Sequence, residues 1–526
     1  MGRRGLGWGC VALAAAVMGG AVAGCTSSES DSGSGPTTKP EPEVTFEATA
    51  PEEIARPAAE GKGINVPQPA PPLPEGYLQE EYFIGGTAAG FEAIDTPDDG
   101  HWSARPGDTA EYRTRVIVRR PASAPAFSGT VLVEWFNVSA VEAAPDWGYL
   151  AGAIGREGHA YVGISAQAQG VEGGDTLLAV DVDEQAAGQA PAAADTSGLK
   201  NIDPDRYGTL VHPGDAYSYD ILNQIGRALT DSPAELLGDL APSRIIAVGE
   251  SQSSMYLTTY VNAIHPLATV FDGFLIHSRG SLAPQLDGTL VRSRKGVTAA
   301  EVLRKGVLIR EDLDVPVMMV ETETDLTLLG YTYARQADTE RIRTWEVAGT
   351  AHADSETIRA VIGGARDPGV GVLLGCGTVN SGPHKEVLRA AVHHLATWVG
   401  GGDPPPAGTP IETTDDGDVA IVRDERGNAL GGIRNPLVDV PAATLTGDPP
   451  EGVSAEDLLD GANLCPLFGR TAPFDAATMA SLYGDADTYL QRFRASTDEA
   501  VAAGFMLQPD ADALLADVEP NRELFP

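Results

Sequence analysis

Ser251 sits where a chain can turn a weak hydroxyl into a nucleophile. It stands in Gly249-Glu250-Ser251-Gln252-Ser253, after the apolar run Ile245-Ile246-Ala247-Val248 and before Leu257, Val261 and Ile264 at helical spacing. Strand, tight turn and helix are the setting of a nucleophile elbow, which lifts a serine out of a sheet and puts the next N–H at a helix start. Gly249 keeps such a turn open, and Ser253 fills with another small residue the place where a second glycine is usual. A serine hydroxyl needs a base to take its proton, and the base needs a carboxylate to orient it. The acid candidates follow an apolar run at 315–320, in Glu321-Thr322-Glu323-Thr324-Asp325. Asp325 lies farthest into the loop and is preferred; Glu323 is the alternative. The base candidate is His352, in the small-residue loop after a run at 341–347. His384, His393 and His394 lie on or near a final helix, where packing or solvent exposure is expected of them. An oxyanion needs two N–H donors. Gln252 supplies one, and the backbone of Asn137 or Val138, after the strand that ends near Phe136, supplies the other.

These residues need elements to hold them. Apolar or alternating runs at 111–119, 130–137, 160–165, 245–248, 269–276, 315–320 and 341–347 predict strands, the last near a sheet edge. Helical spacing at 145–156, 215–229 and 385–399 places helices between them, and 331–337 reads as a further helical piece. Strand and helix in alternation predict an α/β fold with a mostly parallel central sheet and helices on both faces. Residues 166–212 and 277–313 have no clean period and read as excursions. Trp135, Phe136, Ser165, Gln167, His277, Ser278 and Arg279 lie at or near strand ends, where core packing or loop hydrogen bonding is the expected role. After a Pro/Gly-rich break at 400–410, short strands are expected at 419–423 and 431–440, a turn at 424–429, and helices at 476–483 and 485–503. The body therefore reads as one domain over 77–403 with an extension, 404–526, packed on it.

The chain has 526 residues and a net charge of −38, from 36 Lys+Arg against 74 Asp+Glu. That balance argues against a nucleic-acid partner and against electrostatic adhesion to anionic lipid. Arg3 and Arg4 followed by an Ala-rich apolar run read as a signal segment, residues 1–24. Val22-Ala23-Gly24-Cys25 resembles a bacterial lipoprotein processing site, which implies a lipid anchor on Cys25 as the one link to a membrane. Residues 25–76, rich in Ser, Gly, Pro and Glu, read as a disordered tether. Export to an oxidising compartment would pair the two remaining thiols, Cys376 and Cys465. No metal or organic cofactor is expected.

Several blocks resemble the alpha/beta-hydrolase superfamily, and more closely a bacterial group of alpha/beta hydrolase domain proteins. They are Val-Glu-Trp-Phe-Asn-Val-Ser at 133–139, Ser-Ala-Gln at 165–167, 212–220, 249–253, 322–325 and 345–352. The resemblance runs from about Tyr82 to beyond Cys465. It implies an alpha/beta-hydrolase fold and a serine hydrolase with Ser251 as nucleophile and His352 as base. Carboxylic ester hydrolysis, on a small-molecule or lipid ester, is the expected reaction. Peptide or amide cleavage by the same groups, and a non-catalytic ligand-binding lipoprotein, are the other readings.

Overall fold

A sheet of nine strands organises the chain in the computed structural model, which describes residues 45–58, 61–174, 198–290, 299–362, 375–414, 419–453 and 463–525. In chain order the strands are β1 (Glu53–Ala55), β2 (Tyr77–Asp95), β3 (Ser103–Pro121), β4 (Thr130–Trp135), β5 (Ala160–Ile164), β6 (Arg244–Glu250), β7 (Gly273–His277), β8 (Val317–Thr322) and β9 (Ile342–Val347). Their spatial order is β1-β2-β3-β5-β4-β6-β7-β8-β9. β1, β2 and β3 pair antiparallel, β3 also meets β5 antiparallel, and from β5 to β9 every pair is parallel. This is the α/β architecture with a mostly parallel sheet that the strand and helix periodicities predict. The signal segment and Cys25 lie outside the described residues.

The period of two explains the layering. In β4, Val131, Val133 and Trp135 enter one core while Leu132 enters the other; in β6, Ile245 and Ala247 oppose Ile246 and Val248. The first core lies under the helices Ser218–Asp231 and Gln252–Thr259, through Ile221, Leu222, Ile225, Tyr256 and Leu257. The second lies under the helices Pro145–Glu157 and His384–Val399, through Trp147, Leu150, Leu388 and Leu395. Both faces of the parallel strands are covered, so their sequences are nearly all apolar.

The chain reverses its direction of travel across the sheet at β4. From β4 it crosses to β5 on one side, and then returns to lay β6 on the other. The carboxyl ends of β4 and β6 therefore open a crevice, the place where ligands bind in open α/β sheets.

Two expectations fail. The tether does not extend to residue 76, because the described part from 45 onward lies on the body. β1 pairs with β2 through Glu53 and Gly85, Phe46 and Ala48 join the first core, and Ala144 N–H donates to Gln68 O at 2.7 Å. Pro67 and Pro69 are buried there, so a composition that suggests disorder instead supplies apolar cover. The strands expected at 419–423 and 431–440 are also absent: residues there make single bridges such as Ile411–Gly431 and Thr413–Ile421, and Pro436–Asp439 is a helical turn capped by Asn435. The turn at 424–429 forms, with Asp424 N–H on Asn428 O at 2.8 Å.

The extension and the body share one compact unit, Val44–Pro526. Ile433 runs beside the edge strand β9, taking Ala348 N–H on its carbonyl at 3.0 Å and giving its own N–H to Glu346 O at 2.7 Å. An edge with free N–H and C=O groups is thereby covered. The helices Ala476–Tyr483, Ala486–Ala502 and Gln508–Val518, the last not foreseen, form their own apolar cluster. Asp510 ties it to the body by ion pairs with Arg156 at 2.8 Å and Arg389 at 2.7 Å. Cys376 and Cys465 form a disulfide between the body and the extension. Among the described residues no helix is long and apolar enough to cross a membrane.

Candidate active site

β6 ends at Glu250, and the helix Gln252–Thr259 begins one residue after Ser251. Ser251 itself takes φ 58° and ψ −120°, a conformation that costs a non-glycine residue of order 1–3 kcal/mol. The turn is held from outside: Ser251 N–H donates to His277 O at 3.0 Å, and Ser254 Oγ donates to Ser251 O at 2.6 Å. A Cβ on Gly249 would lie 3.1 Å from Ser253 Cβ and 3.0 Å from Leu257 Cδ1. Both positions must be small for strand and helix to meet so closely.

Ser251 Oγ lies 2.8 Å from His352 Nε2, and His352 Nδ1 lies 2.6 Å from Asp325 Oδ1. The other Asp325 oxygen accepts from Thr322 N–H and Thr322 Oγ1, each at 2.7 Å. Those two bonds fix the carboxylate, and Thr322 in turn caps the short helix Glu323–Thr327. Burial alone would raise the Asp325 pKa, but His352 and the Thr322 bonds outweigh it and hold the group below its ordinary value. Burial also opposes protonation of His352, while Asp325 and then Glu250 favour it, and the imidazole ends above its ordinary value. Ser251 remains partly exposed, whereas His352 and Asp325 are buried.

Glu323, the alternative acid, points elsewhere. Its carboxylate accepts from Gly349 N–H at 2.6 Å, Gly447 N–H at 3.1 Å and Arg423 Nη1 at 2.8 Å. It clamps the extension to the loop that leads into His352.

Of the proposed oxyanion donors the structure withdraws one. Asn137 N–H donates to Ala143 O at 3.0 Å, so it is occupied within its own loop. The reason is local: the loop after β4 closes on itself through the Asn137–Ala143 bridge. Val138 N–H is left in that loop, and Gln252 N–H, first in its helix, has no acceptor within the helix. The Asn137 side chain has a different task. Its Nδ2 donates to Glu250 O at 3.1 Å and to Glu250 Oε2 at 3.2 Å.

Sequence reasoning missed the surrounding polar shell. Glu250, hidden as the variable residue of the elbow, places Oε1 3.4 Å from His352 Nε2. Behind the site, His277 Nδ1 lies 2.8 Å from Asp146 Oδ1, and His277 Nε2 lies 2.7 Å from His384 Nε2. Burial pushes His277 down and Asp146 up, so each is shifted toward its uncharged form. His384 packs as expected, and His393 and His394 sit farther along their helix, His394 Nε2–H donating to Gly504 O of the extension at 2.9 Å. Trp135 and Phe136 are core residues, Trp135 giving its indole N–H to Gln167 at 3.0 Å. Buried polar residues beside strand ends could have flagged the shell in the sequence, but Glu250 looks like a turn residue until its strand is known to be central.

The His352 loop rests on the extension. Ala353 N–H donates to Leu467 O at 3.0 Å, and Asn380 Nδ2 donates to Gly349 O at 3.0 Å and Thr446 O at 3.1 Å. The disulfide joins the strands of chain that carry these contacts, Cys376 preceding Asn380 and Cys465 preceding Leu467. Among the described residues no group of three or more His, Cys, Asp or Glu side chains is arranged to hold a metal ion.

A mostly parallel sheet of this order, with a serine on a strained turn at its crevice, defines an alpha/beta hydrolase. The chain belongs to the alpha/beta hydrolase domain family, whose model matches residues 49–516. No curated protein matches it in sequence. Solved structures similar to part of it include a fungal esterase from Rhizomucor miehei, at 10% identity and TM-score 0.28, covering 58% of this chain and 82% of that one. An a/b serine hydrolase without lid from Xanthomonas campestris matches at 10% identity and TM-score 0.26, covering 52% and 89% respectively. An esterase from Pyrococcus furiosus matches at 10% identity and TM-score 0.24, covering 49% and 82%.

Proposed function

We propose that this hydrolase cleaves carboxylic esters through an acyl-enzyme on Ser251. The observation that carries the reading is the unbroken line from Ser251 Oγ to His352 Nε2 at 2.8 Å and from His352 Nδ1 to Asp325 at 2.6 Å. Ser251 Oγ attacks the ester carbonyl as its proton passes to His352 Nε2. The carbonyl oxygen becomes an oxyanion and takes the N–H groups of Gln252 and Val138. Asp325 keeps the ring in the tautomer that presents a bare Nε2, and balances the imidazolium. Collapse of the intermediate breaks the C–O bond, and His352 gives its proton to the departing alcohol. Water, deprotonated by the same nitrogen, then attacks the acyl-enzyme and frees Ser251.

A fluorophosphonate probe on the purified mature protein, followed by peptide mapping, tests the nucleophile. An adduct on Ser251 is expected; an unmodified serine in folded protein overturns the reading. Matched p-nitrophenyl esters and p-nitroanilides test the bond type, and faster turnover of the anilides would replace the esterase by an amidase.

We further propose that the protein works outside the cytoplasm, on a lipid anchor at Cys25. The Val22-Ala23-Gly24-Cys25 pattern supports this, as does a buried disulfide, which oxidising compartments preserve. Palmitate labelling in cells expressing the full chain checks it, and label persisting in a Cys25→Ser variant would sink the assignment.

A further inference from the structure

Glu250 is a carboxylate with an unusual address. It precedes the nucleophile, is buried, and among the described residues has no positively charged partner other than His352. Its Oε1 lies 3.4 Å from His352 Nε2, the same nitrogen that faces Ser251 Oγ. Its Oε2 is held by Asn137 Nδ2 at 3.2 Å, and Asn137 also holds the Glu250 carbonyl and accepts Ser139 N–H at 2.7 Å. The carboxylate is therefore aimed by the loop that carries Val138.

In the resting site Nε2 is an acceptor for the serine proton, and a carboxylate beside it has no hydrogen to receive. After the proton moves to Nε2, the nitrogen becomes a donor and Glu250 Oε1 stands beside it. We propose that Glu250 is a positioning residue which acts through His352: it stabilises the imidazolium from the Nε2 side, while Asp325 does so from the Nδ1 side. The proposal rests on the acyl-enzyme reading above. No atom is exchanged with Glu250; the proton stays on Nε2 until the leaving alcohol or the serine takes it, and Glu250 only lowers the energy of the charged ring.

The groups around the pair fit this. Glu250 faces His352, with Asp146 at the start of its helix, Asp325 after β8 and Glu134 in β4 as the other carboxyl groups, and Tyr149 nearby. Burial pushes Glu250 up to about 8, His352 pulls against that, and the three carboxyl groups add to it. A protonated ring opposes that shift and, with the Asn137 Nδ2 bond, favours the ionised carboxylate, so imidazolium and carboxylate stabilise each other with no proton passing between them. On the other side, His352 faces Asp325 and Glu250, with His277 and His384 behind.

The test is a pH profile of kcat/KM and kcat on a p-nitrophenyl ester for wild type, Glu250→Gln and Glu250→Asp, with melting curves to show that each is folded. A carboxylate beside Nε2 favours the protonated ring, so Glu250→Gln should carry the acid limb to lower pH. The expected fall in kcat is about tenfold, with KM little changed, because the charge is needed only once the ring is protonated. Glu250→Asp keeps the charge on a shorter arm, and its midpoint should lie between the other two. A role confined to bracing the elbow would lower the rate and leave the midpoint in place. Coincident midpoints in the folded variants overturn the proposal, and if Glu250→Gln does not fold, an unmoved midpoint in Glu250→Asp does so alone. Fluorophosphonate labelling of wild type separates the two levels. Without a Ser251 adduct the acyl-enzyme reading fails; with an adduct and coincident midpoints only the role of Glu250 falls.

Discussion

Glu323 and Asp325 stand two residues apart and serve different parts of the chain. Asp325 meets His352 at 2.6 Å, whereas Glu323 meets Arg423 of the extension at 2.8 Å. Asp325→Asn should lower kcat by about 10³–10⁴-fold with the melting temperature nearly kept, as loss of the orienting acid does in other serine triads. Glu323→Gln should do the reverse. It leaves Arg423 with Asp448 as its one carboxylate among the described residues and removes one of the two oxygens that receive Gly349 and Gly447, a loss of about 2 kcal/mol in stability with a much smaller effect on rate. Kinetics and thermal melts on the two variants check this, and equal rate losses would contradict it.

The acid limb of the rate profile has a sign fixed by the site. Asp325 and Glu250 hold the His352 imidazole above its ordinary value of 6.5. A protonated ring cannot take the serine proton, so kcat/KM should fall as pH drops through a midpoint above 6.5. Rates across pH 5 to 9 in constant ionic strength measure it; a plateau persisting below pH 6 would show that His352 is not the titrating base.

Ser251→Gly should be more stable than Ser251→Ala. The φ of 58° is open to glycine and strained for alanine. A difference of about 1 kcal/mol in favour of glycine is expected, read as a higher melting temperature, and both variants should be inactive. Equal melting temperatures would show that the elbow is not strained.

The disulfide should matter to both folding and rate. It spans a sequence separation of 89, and removing it with a Cys376→Ser/Cys465→Ser variant should cost about 2–4 kcal/mol. Because Ala353 leans on Leu467, the variant should also lose kcat at temperatures where it is still folded. A variant with a lower melting temperature and unchanged kcat would limit the bridge to a structural role.

How much of this could be seen in the chain depends on what kind of signal each part leaves. β6, the elbow and its helix were legible because a buried strand, a small-residue turn and an amphipathic helix each leave a local pattern. Asp325 and His352 were legible because loops after strands stand out against apolar runs. The choice of Asp325 over Glu323 was only a preference, since two residues of loop decide which way a carboxylate turns. Asn137 was misjudged as a backbone donor because its N–H partner, Ala143, is set by loop closure that has no periodicity. The strands expected in 419–440 and the tether to residue 76 failed for one reason: both are irregular segments whose form comes from what they lie on. Edge strand β9 and the β2–β3 hairpin supply those surfaces, and nothing in the segments themselves announces them.

The contact between Ala353 and Leu467 also sets an order in time. A ribosome completes Ser251, Asp325 and His352 well before it makes the turn Cys465–Phe468 that seats the histidine loop. A growing chain therefore carries all three reactive groups without the brace that aligns them. Seating of the histidine loop thus waits until the extension has been made and has folded back on the body. In a pulse-chase, fluorophosphonate reactivity should therefore rise after chain release, and full reactivity in a ribosome-bound chain that still lacks the extension would contradict this order.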